Sequence, residues 1–165
     1  KGFEAGLSVQ RGILEAYGTY AWTLATFQED LVLGTPRTPD GTEFVAKGSQ
    51  IPLVPNSVLN LQGRVRPLEW LSIAAGATFV SSQWFRGDEA NVAPKLPSYW
   101  QLRAGAEARW KSWSASVRVA NLLNSSYQTF GTFARDGRIP GNPIVPFLTP
   151  GLPLRVVAGI RWELD

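Results

Sequence analysis

The feature that most constrains this chain is a side-chain period of two. From Tyr99 to Trp110, the residues Trp100, Leu102, Ala104, Ala106, Ala108 and Trp110 share one parity, and Gln101, Arg103, Gly105, Glu107 and Arg109 share the other. Successive side chains of a strand point to opposite faces, so the stretch predicts a β-strand with one greasy and one polar side. The end of the chain repeats the pattern. Leu154, Val156, Ala158, Ile160, Trp162 and Leu164 alternate with Arg155, Val157, Gly159, Arg161, Glu163 and Asp165. Two arginines and two acids on one face would be costly in a dry core without partners, and are ordinary against water. Five further stretches alternate in the same way, over residues 3–10, 14–23, 59–66, 71–79 and 113–119. Most approach the roughly 9–11 residues that a tilted strand needs to cross a bilayer.

The connections narrow the fold further. Turns of a few residues follow Gln10 (Arg11-Gly12), Arg66 (Pro67-Leu68-Glu69) and Trp110 (Lys111-Ser112). Between them lie long connections, about 28–55, 86–97 and 124–153, which are rich in Gly, Pro, Thr and Asp and read as loops. Short and long connections therefore alternate, as in an antiparallel up-and-down meander with all short turns at one end. Transmembrane barrels are built this way, whereas a Greek-key sandwich gives no reason for it. The expected fold is all-β: about seven strands of a transmembrane β-barrel, forming one unit over residues 1–165.

Composition removes most other classes. There is no Cys and no His, which excludes a disulfide framework, a thiolate metal site and the commonest general base. No stretch reaches the ~18 apolar residues of a membrane-crossing helix. Only 18% of residues are charged, against 12% aromatics with seven Trp, while mean hydropathy stays at −0.07. That balance suits a surface meeting both lipid and water, or a Trp-rich soluble β-domain that binds carbohydrate. The net charge of +3 is mild, and no basic run with interleaved aromatics points to nucleic acid. No nucleophile elbow or P-loop is present, and the adjacent Asp88 and Glu89 read as loop charges, so no enzyme is expected. No cofactor and no metal site are expected either.

Several stretches resemble a known family. Gly48-Ser49-Gln50-Ile51-Pro52-Leu53-Val54-Pro55 followed by Leu59-Asn60-Leu61 is similar to the way TonB-dependent outer-membrane receptors lead into a strand. Arg86-Gly87-Asp88-Glu89-Ala90-Asn91 with Lys95-Leu96-Pro97-Ser98-Tyr99 resembles a loop of those receptors. Val119-Ala120-Asn121-Leu122-Leu123-Asn124-Ser125-Ser126-Tyr127 resembles the region of their penultimate strand. Pro150-Gly151-Leu152-Pro153 and the last strand end the chain as the family does, and Gly159 to Leu164 resembles its C-terminal assembly signal. Asp165 departs from the aromatic or apolar residue that usually closes the family's chains.

The resemblance implies a bacterial outer-membrane location, lipid contact, and uptake of a scarce nutrient such as a siderophore or other metal chelate. It also implies a plug domain and the TonB complex as partners; the plug and the TonB-contacting segment have no counterpart in these residues. The start at Lys1 and the odd number of strands, where bacterial barrels have even numbers, lead to the expectation that this is a C-terminal segment with strands and plug upstream. A passive porin or small structural barrel is the competing reading, followed by a soluble carbohydrate-binding sandwich.

Within the barrel reading, Gln101, Arg103, Glu107, Arg109, Arg118, Arg155, Arg161 and Glu163 are expected to face the lumen. They would hold a plug, guide an anionic ligand, or form a solvated wall of mutual ion pairs. Trp84, Arg86, Asp88, Tyr127, Phe130 and Phe133 are candidate ligand contacts in the long loops, although a Trp placed like Trp84, where a strand leaves the membrane, is more often a girdle residue. Asn121 and Asn124 flank the point where the period slips, which predicts a bulge or turn.

Overall fold

The structure, a computed structural model, describes residues 1–164, and Asp165 lies outside them. Among the described residues there is no helix. Seven long strands form one antiparallel sheet: β1 (Gly2–Arg11), β2 (Leu14–Thr23), β5 (Ser57–Leu68), β6 (Leu71–Val80), β7 (Tyr99–Trp110), β8 (Trp113–Ala120) and β11 (Arg155–Trp162). Their order in the sheet is their order in the chain, a pure meander. Two hairpins stand apart from it, β3 (Leu31–Gly34) with β4 (Thr42–Val45) and β9 (Gln128–Arg135) with β10 (Ile144–Pro150).

The expected seven strands are the seven of the sheet, and β1, β5, β6, β8 and β11 differ from the expected bounds only at their ends. The short turns fall between β1 and β2, β5 and β6, and β7 and β8. Gly12 at φ 56° and Lys111 at φ 53° supply the left-handed residues that such tight turns require. The long connections all lie at the opposite end. Two of them were expected to be loop throughout, and instead each carries a hairpin. Strands of four to eight residues interrupted by Pro and Gly give too short a periodic run to stand out from loop.

Register keeps the two faces separate across the whole sheet. Tyr20, Leu59, Phe79 and Trp100 are cross-strand neighbours, as are Ala16, Gly63, Ala75, Ala104, Val119 and Val156. The opposite face carries Tyr17, Gln62, Gly76, Arg103, Ala120 and Arg155 in another continuous row. The greasy rows have no second layer of protein over them: Leu7 is 70% exposed and Ile160 78%. A sandwich would bury those residues. The few buried apolar side chains, Val45, Phe85, Leu96 and Tyr127, lie in the long connections instead.

Candidate functional site

Residues of all seven strands of the sheet, most of them on the polar face, line an open groove of about 940 Å³. Arg103, Glu107, Arg118 and Arg155 line it, together with Glu15 and Arg64. Gln101, Arg109 and Arg161 share that face by register, and Glu163, just past β11, places a carboxylate oxygen 3.7 Å from Arg161. Glu15 and Glu107 of this wall are partnered. Glu15 meets Arg66 at 2.8 Å and Arg64 at 3.6 Å, and Glu107 accepts a hydrogen bond from Arg109 Nε at 2.7 Å. Arg103 donates from Nη1 to Thr78 Oγ1 at 3.1 Å, and Thr78 donates in turn to Asn60 Oδ1 at 2.9 Å. The guanidinium covers Gly76, where a Cβ would come within 2.7 Å of Arg103 Nε.

The greasy face carries aromatic side chains at both ends. Toward the long connections, Phe3 packs on Tyr20 and Trp22, and Phe79 on Trp100 with ring centres 5.0 Å apart. Toward the short turns, Trp110, Trp113 and Trp162 form one cross-strand row, and Lys111 Nζ sits 5.0 Å from the Trp110 ring. Trp100 and Trp110 bracket β7. Ten steps of about 3.3 Å, reduced by a barrel tilt of about 40°, separate them by roughly 25 Å, the height of the apolar band of an outer-membrane barrel.

The three long connections are joined to one another above the groove. The middle one, 81–98, is wedged between the other two. On one side Thr35 Oγ1 donates to the Gly87 carbonyl at 2.7 Å, and Arg37 pairs with both Glu43 and Asp88. Asn91 donates to the Gln50 carbonyl and accepts from the Gln50 amide, while Trp84 Nε1 donates to Gln50 Oε1. On the other side the Arg86 amide donates to Gly131 O and the Phe133 amide to Arg86 O, forming a short parallel bridge. Phe85 packs on Phe133 at 5.2 Å. Gly131 allows this, since a Cβ there would stand 2.5 Å from the Phe85 ring.

The candidate loop residues are therefore placed as follows. Asp88 is fully buried, with Oδ1 accepting from the Val92 amide and Oδ2 from the Ala93 amide, so it offers no free oxygen. Tyr127 is buried, stacked on Tyr99 at 4.5 Å with its hydroxyl accepting from Gln101 Nε2. Trp84 has Lys95 Nζ 4.6 Å above its ring. Phe130 and Phe133 lie half-buried on β9, and Arg86 alone of the six is exposed. Sequence reasoning missed Arg37, Gln50 and Asn91, which hold the loops together. Asn91, at φ 62° three residues after Asp88, is a turn signal that could have been read.

Asn121 and Asn124 form the expected turn. Both adopt φ 48°, and Asn121, 1% exposed, bonds to Ser125 through both its side-chain atoms and to the Leu152 carbonyl.

The family model described as TonB dependent receptor-like, beta-barrel matches residues 1–122. The chain belongs to that family. Its fold is shared with solved receptors at low sequence identity. The siderophore receptor PiuA from Acinetobacter baumannii superposes with a TM-score of 0.76 at 21% identity, over 98% of this chain and 21% of that one. The ferric-catecholate import receptor Fiu from E. coli K12 in its closed form gives 0.67 at 19% identity, over 98% and 20%. The chain thus spans about a fifth of the length of these receptors. No curated protein matches it. The sheet carries a polar and a greasy face, the division that a barrel of this family is built on.

Proposed function

We propose that these strands are the C-terminal part of an outer-membrane receptor that takes up a scarce nutrient, such as a siderophore or another metal chelate. On this reading the greasy rows between the two aromatic belts meet lipid, and Gln101, Arg103, Glu107, Arg109, Arg118, Arg155, Arg161 and Glu163 face the lumen. A plug domain and further strands would come from elsewhere in the same polypeptide, and the TonB complex would supply energy for release inward. The joined long connections would stand outside the cell, where ligand arrives.

The observation that carries the reading is the two-faced meander with belts about one bilayer apart, in a chain of this family. The siderophore class rests on what PiuA and Fiu are named for. Reading the complete gene tests the proposal. A plug-encoding region with a TonB-contacting segment is expected upstream, and its absence would leave a passive porin or a small structural barrel. A strain lacking the gene should then grow poorly when iron is offered only as a chelate. Unchanged growth on every chelate would remove siderophores from the proposal.

A further inference from the structure

The sequence holds two Asp-Gly pairs, each at the tip of a hairpin that stands apart from the sheet: Asp40-Gly41 between β3 and β4, and Asp136-Gly137 between β9 and β10. An Asp side chain reaches nearby backbone groups, and a glycine after it has no Cβ to hinder the approach to its amide nitrogen. The two pairs are held differently by their own hairpins. Arg138 fixes the Asp136 carboxylate: its backbone amide and Nε donate to Oδ1 at 3.0 and 2.8 Å, and its Nη2 to Oδ2 at 2.7 Å. Asp136 is also buried. Asp40 is exposed, and its Oδ2 accepts from Thr42 Oγ1 at 3.1 Å. A hydroxyl releases a carboxylate by rotating, whereas a bidentate guanidinium fixes both oxygens at once.

We infer that Asp40 is a site of spontaneous covalent modification, where aspartate isomerises to isoaspartate through a cyclic imide, and that Arg138 protects Asp136 from the same reaction. The Gly41 amide nitrogen attacks Cγ of the Asp40 carboxylic acid. A C–N bond forms, the bond from Cγ to its hydroxyl breaks, and the hydroxyl leaves as water with the amide proton. Water then adds back to the imide. Opening at Cγ restores aspartate. Opening at the backbone carbonyl carbon leaves the main chain running through Cβ and Cγ, with a free carboxylate on Cα. The water lost in the first step returns in the second, and no electrons are exchanged. The attack needs a protonated carboxyl that is free to turn. Arg138 opposes both requirements, because it holds the Asp136 carboxyl down to about 2 and must let go before Cγ can turn to Gly137. The hydroxyls of Thr38 and Thr42 lower the Asp40 carboxyl too, but without fixing both of its oxygens. Isoaspartate adds one methylene to the main chain. At Asp40 it falls inside the turn where the Gly41 amide donates to Thr38 O at 3.2 Å and the Thr35 amide to Gly41 O at 2.9 Å. Thr35 seats this hairpin on Gly87 through its hydroxyl, so the modification loosens the junction with the middle connection. Both sets of contacts are local to one hairpin, and neither depends on the uptake reading.

The test uses the whole receptor purified in detergent and aged for weeks in mildly acidic and in neutral buffer. Heat-modifiable migration verifies that each sample is a folded barrel. Chymotrypsin then releases residues 34–44 and 134–147, each with one Asp-Gly pair. Isoaspartate in each peptide is measured with isoaspartyl methyltransferase and a labelled methyl donor. Peptide 34–44 should gain isoaspartate about tenfold faster than peptide 134–147. R138Q should raise the rate at Asp136 several-fold and leave Asp40 unchanged. D40E, whose longer side chain does not close the five-membered ring, should remove the signal from 34–44. The wild-type comparison needs no variant, so it decides even where R138Q misfolds. Equal rates at the two sites overturn the inference. So does a folded receptor without isoaspartate at Asp40, when the same receptor unfolded in denaturant forms it. An unchanged rate at Asp136 in folded R138Q overturns the protecting role of Arg138.

Discussion

At the scale of single residues, burial sorts chemistry from support. A fully buried carboxylate must be paired, because an isolated charge away from water is costly. Asp88 meets this requirement with two backbone amides and Arg37, and so spends its charge on shaping a turn. Asp88→Asn keeps one acceptor and sets an NH2 group against an amide N–H. The connection 81–98 should then open more easily by about 2 kcal/mol, the usual worth of a hydrogen bond to a charged group. Hydrogen exchange at the Val92 and Ala93 amides would report it, and unchanged protection there would refute it. Asn121→Ala should also destabilise, by about 2–3 kcal/mol, because it removes three buried hydrogen bonds and leaves a left-handed residue with no local bond to favour it. A melting curve of the folded barrel measures this. The turn at Asn121 was legible because the period slips there. The role of Asp88 was not, because a loop Asp looks the same in sequence whether it faces solvent or two amides.

The Asp136–Arg138 pair belongs at this scale too. Arg138 donates from Nε and Nη2 to the two carboxylate oxygens at 2.8 and 2.7 Å, and this holds the Asp136 carboxyl down to about 2. A depressed carboxyl stabilises the fold above its unfolded value, 3.8. That contribution is lost as pH falls through the folded value. The β9–β10 hairpin should therefore hold its structure from neutral pH to about pH 4 and loosen between about 4 and 2. Asp136→Asn should loosen it at all pH values and abolish that step. An NMR or exchange titration of the Arg138 and Ile139 amides distinguishes the two behaviours.

At the scale of elements, strand faces predict which substitutions are tolerated. Ala106 lies in the middle of β7 on the greasy row with Ile73, Val117 and Ala158. An arginine at the lipid face near the bilayer midplane costs roughly 2–4 kcal/mol. Ala106→Arg should therefore lower the denaturant midpoint of the whole receptor in lipid vesicles. Ser116→Arg, on the groove face opposite Glu107, should change it little. Equal effects would mean that the two faces do not meet different solvents. The long strands were readable because ten or so residues repeat one pattern without interruption, and each repeat is reinforced by its neighbours. The hairpins β3–β4 and β9–β10 were not. Pro143, Pro146 and Pro150 fall in or beside β10, and proline on an edge strand also conceals the strand from a reading by propensity.

At the scale of the whole molecule, the sheet and the loops divide the work differently from a soluble protein. The sheet has almost no buried apolar core of its own, since no second layer of protein covers its greasy face, and the buried side chains gather where the three connections meet. The alternation of short and long connections in the sequence was enough to place all three loops at one end. It carried no information on whether they stand apart or together, because the bonds that join them run over separations of about forty to fifty residues. Since 81–98 is bonded on both flanks, the loops should open as one cooperative unit and not as three. Amides of residues 31–45, 83–96 and 128–150 should then exchange with similar opening free energies in the whole receptor. Gly131→Ala should lower them together, because its new methyl group collides with Phe85 and forces the middle connection away from β9. If the variant loosens 128–150 alone and leaves 31–45 as protected as before, the loops are independent. Each would then be free to move on its own when a ligand arrives.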